Sequence, residues 1–263
     1  MMRAAIWLGF AVFAATGLTA LCGDAQAQTA AATRSEASNT VKLPAVLPPA
    51  ILPPDVAFGR FIALIRGHLL TGDELVRQRD WEDAHRHFMF PLEEIYGVIR
   101  ENLRDYHTPP FDGALKALAR TVAAHNAKQY PKAREKVESA LAAADADLKL
   151  RQPDRSRFVV QTAVAVLNTA SEEYADAVGN DRIVHPIGYQ TARGFILQAD
   201  RMFESVTSDL EAKNPEALHA MRDGLSQLKQ AFATLNAPTR PPIELAAVQD
   251  IVARIEFAAN KLR

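Results

Sequence analysis

Cysteine is all but missing from this chain: Cys22 is the only one, and it sits in the N-terminal stretch of 27 residues, just past an apolar run. Once that stretch is removed on export, nothing remains to form a disulfide, a thiolate zinc site, an iron–sulfur cluster or a catalytic thiol. Core burial alone must then hold the fold. Glycine is scarce at 12 residues and aromatics make up 7%, while β-branched residues nowhere collect into alternating strands. With abundant alanine, those are the habits of a helical protein. Neither sign of charge prevails, since 30 basic residues face 31 acidic ones for a net charge of −1. No basic field exists to attract nucleic acid, and there is no acidic tail. Past residue 27 no apolar run approaches the roughly 20 residues that cross a bilayer. A Gly-x-Ser-x-Gly elbow and a glycine-rich phosphate loop are also missing, and Ser171 and Ser205 have no base in view. A non-enzymatic protein is expected.

What is present starts at the N-terminus. Arg3 precedes an apolar run from Ala4 to Ala20, and Ala25-Gln26-Ala27 follows. A basic start, an apolar middle shorter than a usual span, and small residues at a scissile bond make a signal peptide over residues 1–27. A lipoprotein anchor is the competing reading, but Leu21, directly before Cys22, is too large for a lipobox. The expected location is periplasmic or secreted. Arg3 and Asp24 leave together, so the charge is unchanged, and about 235 residues remain for one large or two small domains.

Residues 28–54 read as a leader and a proline-rich strap. Gln28 to Asn39 offers nothing to bury and is expected to be disordered. Leu43 to Pro54 alternates prolines with apolar residues, which forbids helix and suggests an extended segment lying along the body or docking to a partner. From Asp55 the pattern is helical, giving a domain over 55–263 that is one body or two sub-bundles, 55–150 and 155–263. The first helix is expected to run to Arg79 and the second, capped by Asp80, to about Tyr106. Its stripe is Ala84, Phe88, Leu92, Ile95, Ile99 and Leu103, with a kink or break near Phe88 because Pro91 lies inside it. Further helices are expected over Phe111–Asn126, Pro131–Leu148, Ser156–Val178, Pro186–Leu210, Asn214 to before Pro238, and Pro241–Lys261. Short links favour antiparallel neighbours. The expected fold is therefore all-α, an antiparallel bundle or array of helical hairpins with about eight helices.

The first hairpin, over 68–91, resembles part of a tetratricopeptide unit in Gly72, Trp81 and Ala84-x3-Phe88. It departs from that motif in its opening, where His68-x2-Thr71 replaces Trp-x2-Leu. The same stretch is the richest in metal-ligand types, with His68, His85, His87, Met89, Glu93 and Glu94. His85 and Met89 are one turn apart on one side of the second helix, and an antiparallel first helix would bring His68 opposite. Imidazole with thioether suits copper, and imidazole with Glu93 or Glu94 suits zinc or iron. The candidate metal set is His68, His85, Met89 and Glu93, with iron, copper or zinc as the ion. Against it, no His-x3-His or Glu-x2-His pair occurs, and His85 and His87 point to different sides of a helix. The bland alternative is a gap-filling His68 and a solvated face.

A second stretch, Ser171 to Phe195, reads as a helix end, a glycine cap at Gly179-Asn180, a short link and a new helix. In Tyr174, Ala177, Val178, Ile183, Val184 and Tyr189 it resembles the helical periplasmic segment that accompanies bacterial oxidase-coupled iron permeases. Gly188 stands where that segment usually has a glutamate. The resemblance implies a periplasmic role near metal uptake and a membrane or periplasmic protein partner. Together these readings point to an exported helical protein that binds or buffers a transition metal, iron or copper. The alternative is a metal-free protein–protein interaction scaffold.

Overall fold

A computed structural model describes residues 52–262. The expected signal peptide, leader and strap through residue 51 lie outside the described residues. Within them the protein is all-α. Its helices are α1 (Pro54–Gln78), α2 (Trp81–Phe90), a π-helical turn (Pro91–Ile95), α3 (Tyr96–Ile99), α4 (Asp112–Ala123) and α5 (Tyr130–Arg151). Next come α6 (Arg155–Ala177), α7 (Pro186–Glu204), α8 (Thr207–Lys213), α9 (Pro215–Ala231) and α10 (Leu245–Ala259).

Local chemistry sets most of the ends. The Asp80 carboxylate accepts from the Asp83 N–H, as does that of Asp154 from Arg157 N–H, and the Asn214 side-chain oxygen accepts from Ala217 N–H. Each satisfies a donor that the first turn leaves unpaired. Pro91 has no N–H to give its preceding turn, and the helix continues by widening. Tyr96 N–H reaches back five residues to the Pro91 carbonyl, so the expected kink takes the form of a π turn.

Several expected helices end or begin elsewhere: the second stops at Ile99 rather than about Tyr106, and the one opened by Asn214 stops at Ala231. The Pro186–Leu210 helix breaks at Ser205, whose hydroxyl bonds back to the Met202 carbonyl at 2.7 Å and competes with the helical ladder. The last helix starts at Leu245 rather than Pro241, because residues 232–244 form an irregular crossover. Between α6 and α7 lies a two-residue antiparallel bridge, with Val178 opposite Ile183 and Gly179 opposite Arg182. The left-handed residues there are Asn180 and Asp181 (φ 51° and 56°), not Gly179. A tight hairpin needs both central residues at positive φ, and short amide or carboxyl side chains tolerate it.

In packing, α6 lies along α7 and α10, and α9 along α10 and α7, so these four close into a bundle. Helix α1 lies on α7 and α6 with one side and on α2 and α5 with another, while α4 fills in between α2 and α5. The α1–α2 seam contains Ile65, Ala84, Phe88, Ile95 and Ile99 fully buried, with Phe61 and Leu92 at its edge. Gly72 leaves room there for the Phe88 ring, as the hairpin spacing implied.

Candidate functional site

Helix α2 turns its Ala84–Phe88 face inward, and His87, three residues after Ala84, goes with it. Its ring is wholly buried, and His68 of α1 is only 5% exposed. Their Nδ1 atoms lie 3.3 Å apart. On its other side His87 Nε2 meets Gln190 Oε1 at 3.0 Å, and Gln190 Nε2 meets Asp83 Oδ2 at 3.3 Å. These contacts assign the protons. A carboxylate only accepts, so the Gln190 amide nitrogen faces Asp83 and its oxygen faces His87. His87 must then carry its hydrogen on Nε2, which leaves Nδ1 bare to accept from His68 Nδ1–H. The chain runs in one direction across α1, α2 and α7. Burial pushes His87 down to about 4, against the opposing pull of Gln190 and Asp83. His68 is also held well below the usual imidazole range, by burial first and then by His87. Both rings are neutral at neutral pH.

The metal set expected from sequence does not assemble. His68 pairs with His87, not His85, and stands among aromatic rings, 5.4 Å from Phe90 and 5.1 Å from Phe195 between centroids. Two residues turn a helix by about 200°, so burying His87 sends His85 to the opposite side. There His85 lines an open cleft with Trp81, Arg86 and His125. Met89 packs half-buried against the core, and Glu93 is exposed on the π turn. Among the described residues there is no group of three or more His, Cys, Asp or Glu suited to hold an ion. His87 was the residue to choose, and the signal was its place beside Ala84 and Phe88 on the buried stripe.

Two acids approach across the π turn. Glu173 of α6 is pushed up to about 7, by burial first and then by Glu94, Asp176 and Glu172. Glu94 is itself raised by burial and by Glu93.

The stretch from Ser171 to Phe195 proves to be the mortar of the bundle. Tyr174 and Tyr189 are fully buried and hold Phe232 between them, one edge-on at 4.9 Å and one stacked at 5.2 Å. Their hydroxyls donate to the crossover, Tyr174 to the Ile243 carbonyl at 2.6 Å and Tyr189 to that of Thr234 at 3.1 Å. Ile183 N–H bonds to the Thr239 carbonyl. At Gly188 a Cβ would lie 3.2 Å from the Glu173 carbonyl oxygen and 3.3 Å from Ala177 Cβ. Position 188 therefore faces α6 at close range, with no room for a glutamate directed inward.

Residues 149–262 match the family model described as the iron permease-associated 4-helix bundle domain. The match spans α6 to α10, so the resemblance read from Tyr174 to Tyr189 extends over the whole four-helix unit. No curated protein and no solved structure matches the chain.

Proposed function

We propose that this chain is an exported, non-enzymatic helical protein that works in the periplasm beside an iron permease, binding or buffering a transition metal, iron or copper. The observation that carries this reading is the match of residues 149–262 to the iron permease-associated 4-helix bundle domain. The signal-peptide pattern of residues 1–27 supports export. None of the described helices is long and apolar enough to cross a membrane. The partner called for is a permease or a periplasmic protein of the same uptake route. Elemental analysis of protein taken from the periplasmic fraction, followed by titration with Fe2+ and Cu2+, tests it. Stoichiometric metal supports the reading, and no uptake of either ion removes its metal half.

A second reading, a metal-free interaction scaffold, is favoured by the His68–His87 chain, whose facing nitrogens are already taken up by hydrogen bonds within the protein. Co-purification with a permease from chelator-treated membranes separates the two. A scaffold binds regardless of metal.

A further inference from the structure

Two helix turns meet at one end of the N-terminal half. The turn between α1 and α2 carries Arg79 in left-handed geometry (φ 64°), and the turn after α4 carries His125 likewise (φ 50°). Backbone bonds hold both: Arg79 N–H to the Val76 carbonyl at 3.0 Å, and His125 N–H to that of Val122 at 2.8 Å. Glycine is the usual residue at such positions, and histidine is among the other types that adopt them. Between the turns lies an open cleft of about 640 Å³, which Arg79, Trp81, His85 and His125 help to line. The Trp81 indole stacks on the His125 imidazole, with centroids 5.5 Å apart and planes within 14°. That contact sets the ring plane. His85 stands one turn beyond Trp81 on the same face of α2 and lines the same cleft.

Four of the other histidines have side-chain partners: His68 and His87 bond to each other, His107 pairs with Asp147, and His219 with Asp223, while His185 is exposed at the start of α7, away from this cleft. Among the described residues no side-chain hydrogen bond or ion pair engages His85 or His125. We infer that this cleft is a surface site for a divalent transition-metal ion, held by His85 and His125. The remaining positions are filled by water or by a small carboxylate chelator whose charge meets Arg79. Imidazole nitrogen suits such ions, with affinity rising from Fe2+ to Cu2+ and falling again at Zn2+. His125 is exposed and His85 half-buried on the wall of the same cleft, and binding one ion requires His85 to turn toward the His125 ring that Trp81 holds. This inference rests on the metal reading above and gives it a place.

The test titrates Cu2+, Zn2+ and Fe2+, each alone, into the purified chain and into His85→Gln and His125→Asn. Asparagine tolerates the left-handed conformation, so the second variant keeps its turn, and circular dichroism verifies the fold of both. The expected result is one ion per chain, with affinity reduced about tenfold or more in each variant and unchanged in His219→Ala. Cu2+ should also broaden the ring resonances of His85 and His125 before those of His68 and His87. If the parent chain binds metal and both variants bind as tightly, the cleft is not the site, while the metal reading stands. If the parent chain takes up none of the three ions, both fall together.

Discussion

At His87 the imidazole is neutral in the folded protein and titrates near 4, against about 6.5 when unfolded. Between those values the unfolded chain binds a proton that the folded chain refuses. The stability His87 contributes is therefore whole above pH 6.5 and is lost as pH falls toward 4. His87→Gln removes the titration along with the hydrogen bonds. In metal-free protein the advantage of the parent chain over this variant should shrink by about 2–3 kcal/mol between pH 7 and pH 4.5, read from urea melts. Glu173 has the opposite sign. Its folded value of about 7 lies above the unfolded 4.5, so its contribution is full below pH 4.5 and disappears as pH rises through 7. Glu173→Gln should accordingly raise stability over the parent chain by about 2–3 kcal/mol more at pH 8 than at pH 4.5. A pH-independent difference would place the carboxyl in water. Neither behaviour was legible from the residues alone. His85 and His87, or Glu172 and Glu173, differ by a rotation about the helix axis, and only the neighbours fix that rotation.

Helix pairs are set by how near their backbones come. At Gly194 of α7 a Cβ would lie 2.6 Å from the Gly67 carbonyl oxygen of α1 and would also strike Thr71 Oγ1. A backbone oxygen cannot swing aside, so the helices themselves must part. Gly194→Ala should cost at least about 2 kcal/mol. Gly113→Ala, with nothing within 4 Å of its Cβ, should be neutral or stabilising by about 0.4–1 kcal/mol. Thermal melts of the two variants side by side decide the matter. The break at Ser205 and the late start of α10 were not visible in the periodicity, because apolar spacing continues through both. What interrupts the helices is a hydroxyl turned onto its own backbone in one case. In the other it is a crossover pinned by Tyr174 and Tyr189, which come from 69 and 45 residues away.

Across the whole molecule α1 joins the two halves, since it packs on α2 and α5 as well as on α6 and α7. The half-buried ion pair between Arg193 and Glu74, at 2.7 Å, and the His68–His87–Gln190 chain both cross from the N-terminal helices into the four-helix bundle. The protein should therefore unfold in one step, with Trp81 fluorescence and far-ultraviolet circular dichroism giving coincident urea transitions. Residues 149–263 expressed alone would expose the face of α7 that holds Gln190, Thr191 and Gly194. They should bind a hydrophobic dye and melt without a sharp transition. Coincident stability of fragment and parent chain would show that the bundle stands without α1.

The sequence by itself determined the all-α class, most helix ends and the likeness to the permease-associated domain. Those rest on local signals, namely apolar periodicity, Asp80 and Asn214 as caps, proline positions, and a tyrosine-framed turn. The tertiary structure alone decided that His68 meets His87, that Pro91 widens a helix rather than ending it, and that Glu173 titrates near neutrality. Each depends on side chains brought together from far along the chain, as with His87 and Gln190, which are 103 residues apart, and no short-range pattern records such a meeting.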